Sequence, residues 1–255
     1  MSEIIMQSNE NTTEFNFLRG YTDENGTLHT TFTLRPMNGR DEDYLASKKE
    51  SNNSKFLTEL LSRCMRSIGD LTPSKVGGLE SWKNVIRQLA IGDIDYAMVQ
   101  LRALSLGEEM TFKNVCPHCG ANLETVASVN ELPIIEYKGD TTEVSLSQGI
   151  IDPNGNKHTE GILRVPTQAD REAVDPVATK NKAKGVSLML SRCFRFADGC
   201  PASPDTMSEM TTRDRKLLQN TLGEDLMFGI SSELELTCSE CGETFKARFD
   251  SGDFI

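Results

Sequence analysis

The chain has no run of eighteen or so apolar residues, so no segment of it reads as a membrane span. Its first residues, MSEIIMQSNENTTEF, lack the basic and apolar regions of a signal peptide. The expected location is therefore the cytoplasm of the cell that makes it. Basic residues are few, 27 Lys and Arg against 38 Asp and Glu, giving a formal net charge of −11. That balance argues against broad contact with nucleic-acid phosphate, which is driven by cation neutralisation. Catalytic signatures are missing as well. There are three histidines, no glycine-rich phosphate loop, no GxSxG elbow and no HExxH pair, so a non-enzymatic protein is expected. Without an export signal, the seven cysteines point to metal ligands or buried thiols and not to a disulfide framework.

The chain does contain a repeat of itself. Residues 20–35 read GYTDENGTLHTTFTLR and residues 149–164 read GIIDPNGNKHTEGILR, an ungapped match at an offset of 163 − 34 = 129. At the same offset Leu61-Ser62-Arg63-Cys64 meets Leu190-Ser191-Arg192-Cys193. Gly107 lies nine residues before Cys116, and Gly229 nine before Cys238. Each half is thus expected to carry hairpin, helices, strand, cysteine knuckle and strand, in an α+β fold of two related units, residues 1–137 and 138–255. The two should pack as one body.

Asp23-Glu24-Asn25-Gly26 and Asp152-Pro153-Asn154-Gly155 are turn sequences, because Asn-Gly readily supplies positive φ. Phe15, Phe17, Phe32 and Leu34 alternate as strands do. Leu57, Leu60, Leu61, Cys64, Met65 and Ile68 predict one amphipathic helix, with a mate from Val186 to Ala197. A second helical region runs from Leu79 to Leu106 with a break and new N-cap at Gly92-Asp93; its counterpart is shorter, around Arg213 to Leu222.

The chemistry sits in Cys116-Pro117-His118-Cys119-Gly120 and Cys238-Ser239-Glu240-Cys241-Gly242. A two-residue gap lets both thiolates of a turn face one metal, and the glycine permits the tight backbone. Strand-like sequence flanks both knuckles: Met110–Val115 and Leu123–Val129, Leu234–Leu236 and Phe245–Phe249. Four thiolates suit one structural Zn²⁺ and leave no open position for substrate. Cys116, Cys119, Cys238 and Cys241 are the expected ligands, one pair from each half of a shared zinc ribbon, so that the metal staples the halves. The rival reading is redox, since Cys116-Pro117-His118-Cys119 matches the active-site tetrapeptide of some disulfide oxidases. Inert thiols are the third.

The remaining reactive side chains have plainer readings. Cys64 and Cys193 lie on apolar stripes, as core residues do. His29 and His158 fit turn-fixing roles in hairpins, His118 is a bystander, and Cys200 has no assigned partner. Arg63, Arg66, Arg192 and Arg195 are expected to face solvent or a partner, and Asp41, Glu42 and Asp43 to open a helix.

Ile91-Gly92-Asp93-Ile94-Asp95-Tyr96, followed by Leu101 to Glu109, Phe112 and Cys116 to Gly120, resembles the baseplate hub assembly proteins of T-even-type bacteriophages. In related phages similar sequences are labelled tail assembly chaperones. The resemblance covers residues 31–135, and the second half only through the repeat. It implies a non-enzymatic role in building the tail baseplate. It also implies hub and tail proteins as partners, and the infected host's cytoplasm or the virion baseplate as location. Two other functions fit a zinc ribbon or CxxC pair: a regulator or nucleic-acid adaptor, and a thiol oxidoreductase. The second half departs from the family pattern, having no clear GDxDY segment.

Overall fold

The computed structural model describes residues 11–47, 53–152, 154–200, 202–231 and 233–248. The expected strand end at Phe249 and most of the N-terminal stretch read for a signal lie outside them.

The chain opens with an antiparallel hairpin, β1 (Thr13–Thr22) and β2 (Leu28–Leu34), followed by α1 (Gly39–Ser47), α2 (Asn53–Cys64) and a short strand β3 (Met65–Ile68). Next come α3 (Leu79–Gln88), α4 (Ile91–Leu106) and a ribbon of β4 (Glu109–Val115) and β5 (Asn122–Ser128). After β6 (Ile134–Ile135) a second hairpin forms, β7 (Thr141–Ile151) and β8 (Lys157–Arg164), then α5 (Gln168–Ala178), α6 (Lys182–Cys193) and β9 (Phe194–Phe196). The end of the chain holds α7 (Pro204–Glu209), α8 (Thr212–Thr221), β10 (Gly229–Ile230) and a second ribbon, β11 (Glu233–Thr237) with β12 (Thr244–Arg248). Mixed helices and antiparallel sheets make this an α+β fold.

The hairpins form two three-stranded sheets of like order, β1-β2-β3 and β7-β8-β9. Here the structure corrects the expected single helix over Leu57 to Ile68. The helix stops at Cys64, and Met65 to Ile68 pair with β2; in the same way α6 ends at Cys193 and Phe194 to Phe196 pair with β8. Met65 and Ile68 are fully buried, so they satisfy a helical stripe and a strand equally. The open edges of β2 and β8 decide the matter, because a central strand must pair its backbone groups.

Side-chain contacts recur at the 129-residue offset. Arg35 grips Asp41 through both guanidinium nitrogens (2.5 and 3.2 Å), and Arg164 grips Asp170 (2.7 and 3.1 Å). Burial opposes ionisation of both carboxyls, yet the guanidinium beside each and a backbone N–H, from Asn38 or Thr167, hold them below the usual range. Asp41 is thus more than a favourable first-turn charge. Arg192 and Arg195 are exposed, as expected, although Arg192 also pairs with Asp170 (2.7 Å); Arg63 is half-buried and lies 4.3 Å over the Tyr44 ring.

A second correspondence is invisible at that offset. Both β1 and β7 have an irregular register, between Asn16 and Tyr21 and between Ser145 and Ile150. A buried carboxylate fills each bulge. Asp93 accepts from the N–H groups of Leu18, Arg19 and Gly20 at 2.8–3.1 Å. Asp214 accepts from those of Ser147, Gln148 and Gly149 and from the Ser147 hydroxyl at 2.8–3.0 Å. Each stands third in its helix, α4 or α8, at an offset of 214 − 93 = 121. The eight-residue difference reflects the replacement of α3 and its leading loop by the shorter α7. The break before α4 therefore falls at Leu89–Ala90, not at Gly92-Asp93. Both residues there are extended, and backbone bonds from Ile91 N to Pro166 O and from Gln168 N to Leu89 O pin the chain to the other half. Similarly, Gly107 ends α4 whereas Gly229 opens β10, so these two glycines do not introduce like strands.

The halves share a polar seam. The Gln168 amide donates to Ser54 O and Thr58 Oγ1 (2.6 and 3.1 Å), the Thr58 and Ser54 hydroxyls donate to Glu172 and Asp175, and Arg87 donates to Glu172 (3.0 Å). Arg171 meets Asp95 through both nitrogens (2.8 and 2.7 Å). β6 pairs with β10, and a Cβ on Gly92 would stand 2.3 Å from Phe228 O.

Gly92→Ala and Asp93→Ala should each cost about 3 kcal/mol, the first by a backbone clash and the second by orphaning three buried N–H groups. Urea denaturation reads both. The pH dependences of the two carboxylates should oppose each other. Burial outweighs the donors at Asp93 and raises its pKa; at Asp214 burial is overcome by Ser147, Gly149 and Gln148, which bring it to about 2. Asp214 thus stabilises above the unfolded value of 3.8, and that contribution fades as pH falls through about 2. The contribution of Asp93 is full below its unfolded value and lost as pH rises through its raised one. The deficit of Asp214→Asn should shrink on acidification and that of Asp93→Asn grow; parallel slopes would contradict this.

Candidate metal centre

Each knuckle is the turn of a two-stranded ribbon. In the first, Cys116 N donates to Ala121 O and Gly120 N to Cys116 O, both at 2.9 Å. In the second, Cys238 N donates to Glu243 O and Gly242 N to Cys238 O, again at 2.9 Å. Gly120 and Gly242 sit at φ 76° and 75°, a left-handed conformation that a β-carbon disfavours. The two turns are the same device used twice, and the strands expected on either side of each are present.

The ribbons bring their tips together. All four sulfurs of Cys116, Cys119, Cys238 and Cys241 lie within 4.8 Å of one another. Cys116 and Cys241 are 3.8 Å apart, and Cys119 and Cys238 3.7 Å. These are not disulfides, whose sulfurs approach to about 2.05 Å. Tetrahedral zinc thiolate, with bonds of about 2.3 Å, has sulfur–sulfur edges of about 3.8 Å. The two crossing distances match that edge, and the remaining pairs lie within 4.8 Å, a spacing compatible with a metal ion. Cys116 and Cys238 are buried, against Leu123, Ala121 and Phe245, whereas Cys119 and Cys241 are exposed.

The electrostatics of the bare cluster agree. At Cys116 burial disfavours the thiolate, but N–H groups of Cys119 and His118 and the neighbouring thiols outweigh it and bring the pKa to about 6. At Cys241 the Glu243 N–H favours the thiolate, yet desolvation and the other three sulfurs push it up to about 12. One thiolate forms readily and further negative charge is resisted. A divalent cation would remove that resistance.

The other sequence candidates lie elsewhere. Cys64 and Cys193 are core residues, their thiols pushed up to about 12 by burial. His118 is exposed beside the cluster. His29 meets Asp23 in the first hairpin turn (3.2 Å), as turn-fixing requires. His158 lies between Asp152 (3.6 Å) and Asp198 (2.6 Å), and Asp198 raises its pKa. Cys200 lines the same open cleft as His158. Sequence reasoning read Asp93 only as part of an N-cap, and it missed Asp214 and Asp198. The spacing from Arg35 to Asp41, repeated from Arg164 to Asp170, was a legible signal for that pair; Asp214 gave none, because it falls out of register.

Fold and cluster together define an α+β protein with a four-cysteine group able to hold a metal ion. Comparison with known families adds the identity of the scaffold: the profile of the T4 bacteriophage base plate protein family matches residues 17–196, over two thirds of the chain. The chain belongs to that family. The matched region contains the second three-stranded sheet, the first sheet from residue 17 of β1 onward and the first knuckle, and ends before the second knuckle. No curated protein and no solved structure matches the chain.

Gly120→Ala and Gly242→Ala should each cost about 1 kcal/mol through backbone strain alone, since no atom lies within 4 Å of the added carbon. A loss well above that in thermal unfolding would show that the turns are constrained by more than φ.

Proposed function

We propose that the protein is a non-enzymatic component of the tail baseplate hub, an assembly or structural scaffold whose surfaces bind other tail proteins. The observation that carries this reading is the family match across both sheets. The segment that resembles the phage proteins supports a scaffold role, because its residues hold the fold. Ile91, Gly92 and Asp93 are buried, Asp95 pairs with Arg171, and Tyr96 meets the Phe32 ring edge-on (6.5 Å). On this reading the protein is made in the host bacterial cytoplasm and carried into the virion baseplate.

The proposed architecture is an internal duplication, residues 1–137 and 138–255, packed as one unit. Its support is the like strand order of the sheets, the Arg35–Asp41 and Arg164–Asp170 pairs, the Asp93 and Asp214 caps and the matching knuckles. One structural Zn²⁺, held by Cys116, Cys119, Cys238 and Cys241, completes it. A closed thiolate set leaves the metal no coordination site for substrate, so its contribution is to stability. The thiol oxidoreductase reading is weakened by the strands on both sides of Cys116 to Cys119, where such enzymes place a helix N-terminus. The nucleic-acid adaptor reading is weakened by the acidic balance. Among the described residues no helix is long and apolar enough to cross a membrane.

Metal analysis and native mass spectrometry should find one zinc per chain, lost in Cys116→Ser and Cys238→Ser. Absence of metal from carefully reduced protein would remove the clasp from the proposal. Phage lacking the gene should yield particles without functional baseplates, restored by the wild-type chain; normal tails in its absence would sink the assembly role.

A further inference from the structure

Four thiols can be joined in three ways, and the geometry here distinguishes among them. The two sulfur–sulfur contacts aligned as hydrogen bonds both cross from one ribbon to the other, Cys116 to Cys241 (3.8 Å) and Cys119 to Cys238 (3.7 Å). Each crossing pair joins a buried sulfur to an exposed one: Cys116 with Cys241, and Cys238 with Cys119. A reagent from solution meets the exposed sulfur first, and the buried one stands across the gap to resolve the adduct.

We propose that the cluster is also an oxidation site, at which a small-molecule disulfide, acting on the metal-free protein, closes the bridges Cys116–Cys241 and Cys119–Cys238. The exposed Cys241 thiol gives its proton to the Cys116 thiolate across their 3.8 Å contact as it attacks one sulfur of the oxidant. This leaves a mixed disulfide on the protein and expels one small thiolate, which takes that proton from Cys116 and leaves as a thiol. The Cys116 thiolate then attacks Cys241 Sγ, forming the protein bridge and expelling the second small thiol. Two protein thiols lose two electrons and two protons, and the oxidant is reduced to two thiols. Cys119 and Cys238 react likewise. Bond formation requires each pair to close from its present separation to about 2.05 Å, a movement smaller than a methyl radius. Both bridges would tie the first ribbon covalently to the second, so the tie between them would survive loss of the metal in an oxidising medium. This inference rests on the same cluster as the zinc reading but not on the metal's identity.

The test uses the full chain, reduced, stripped with a chelator and then exposed to oxidised glutathione, with bridges mapped by mass spectrometry of unreduced peptides. The crossing bridges should dominate, and the zinc-loaded protein should form them at least about tenfold more slowly, because bound thiolates are withheld from exchange. Bridges within each knuckle, the pairing Cys116–Cys238 with Cys119–Cys241, or glutathione adducts alone would overturn the proposal. The double variant Cys119→Ser and Cys238→Ser retains one crossing pair and should form Cys116–Cys241 only. Zinc content, measured separately on reduced protein, keeps the two readings apart. Crossing bridges without stoichiometric zinc leave this inference standing and remove the metal; zinc with a different map does the reverse.

Discussion

The first turn of α4 is the constraint on which the remaining packing depends. Within three residues it presents a backbone close enough to Phe228 O to exclude any β-carbon at Gly92, and a carboxylate at Asp93 that takes three N–H groups from the bulge in β1. One turn thereby fixes the first hairpin, the approach of the chain near residue 228 and the neighbouring seam to α5. Asp93 can serve in this place because its donors are preorganised: a buried carboxylate is tolerated when hydrogen bonds replace the water it has lost. The same solution stands at the start of α8, where Asp214 holds the bulge in β7.

The halves do not rely on the cysteines alone. Gln168, Glu172 and Thr58 are buried in the seam, and Arg171 with Asp95 closes one side of it. Individual hydrogen bonds of this kind contribute about 1 kcal/mol net, and more is lost when a buried partner is left unpaired. A zinc clasp of the proposed kind would add on the order of 10 kcal/mol if the ribbons were otherwise unfolded. The division of labour follows from position. The seam joins sheets and helices, whereas the cluster joins the ribbon tips, where Leu123, Ala121 and Phe245 pack near the sulfurs. The ribbon bases have their own apolar support, with Met110, Ala127 and Leu234 against Val99 and Leu132.

The two halves differ where one does without a part the other needs. The first uses α3, with Trp82 and Ile86 fully buried, packed against α2 and α5. The second has the six-residue α7, with Met207 in the same kind of role, and it fastens His158 to Asp198 where the first half packs His29 against Gly69. Such local exchange leaves the sheets alike while changing the surfaces above them.

The sequence by itself determined the hairpins, their turns and the two knuckles whose cysteines come together. Those features rest on local chemistry: Asn-Gly turns, strand alternation and CxxCG spacing act over a few residues and are legible wherever they stand. Family resemblance was legible too, through a segment whose start, Ile91 to Ile94, turns out to be buried, whereas Leu106 to Glu109 is exposed. What only the tertiary structure decided lies at longer range. Met65 to Ile68 became a strand because β2 offered an unpaired edge; the break before α4 fell at Leu89–Ala90 because residues 166–168 pair with it. Asp214 acquired its partners from a bulge 65 to 67 residues away. No pattern within either segment announces such a contact, since a carboxylate early in a helix looks the same whether it faces water or fills the fold of a strand.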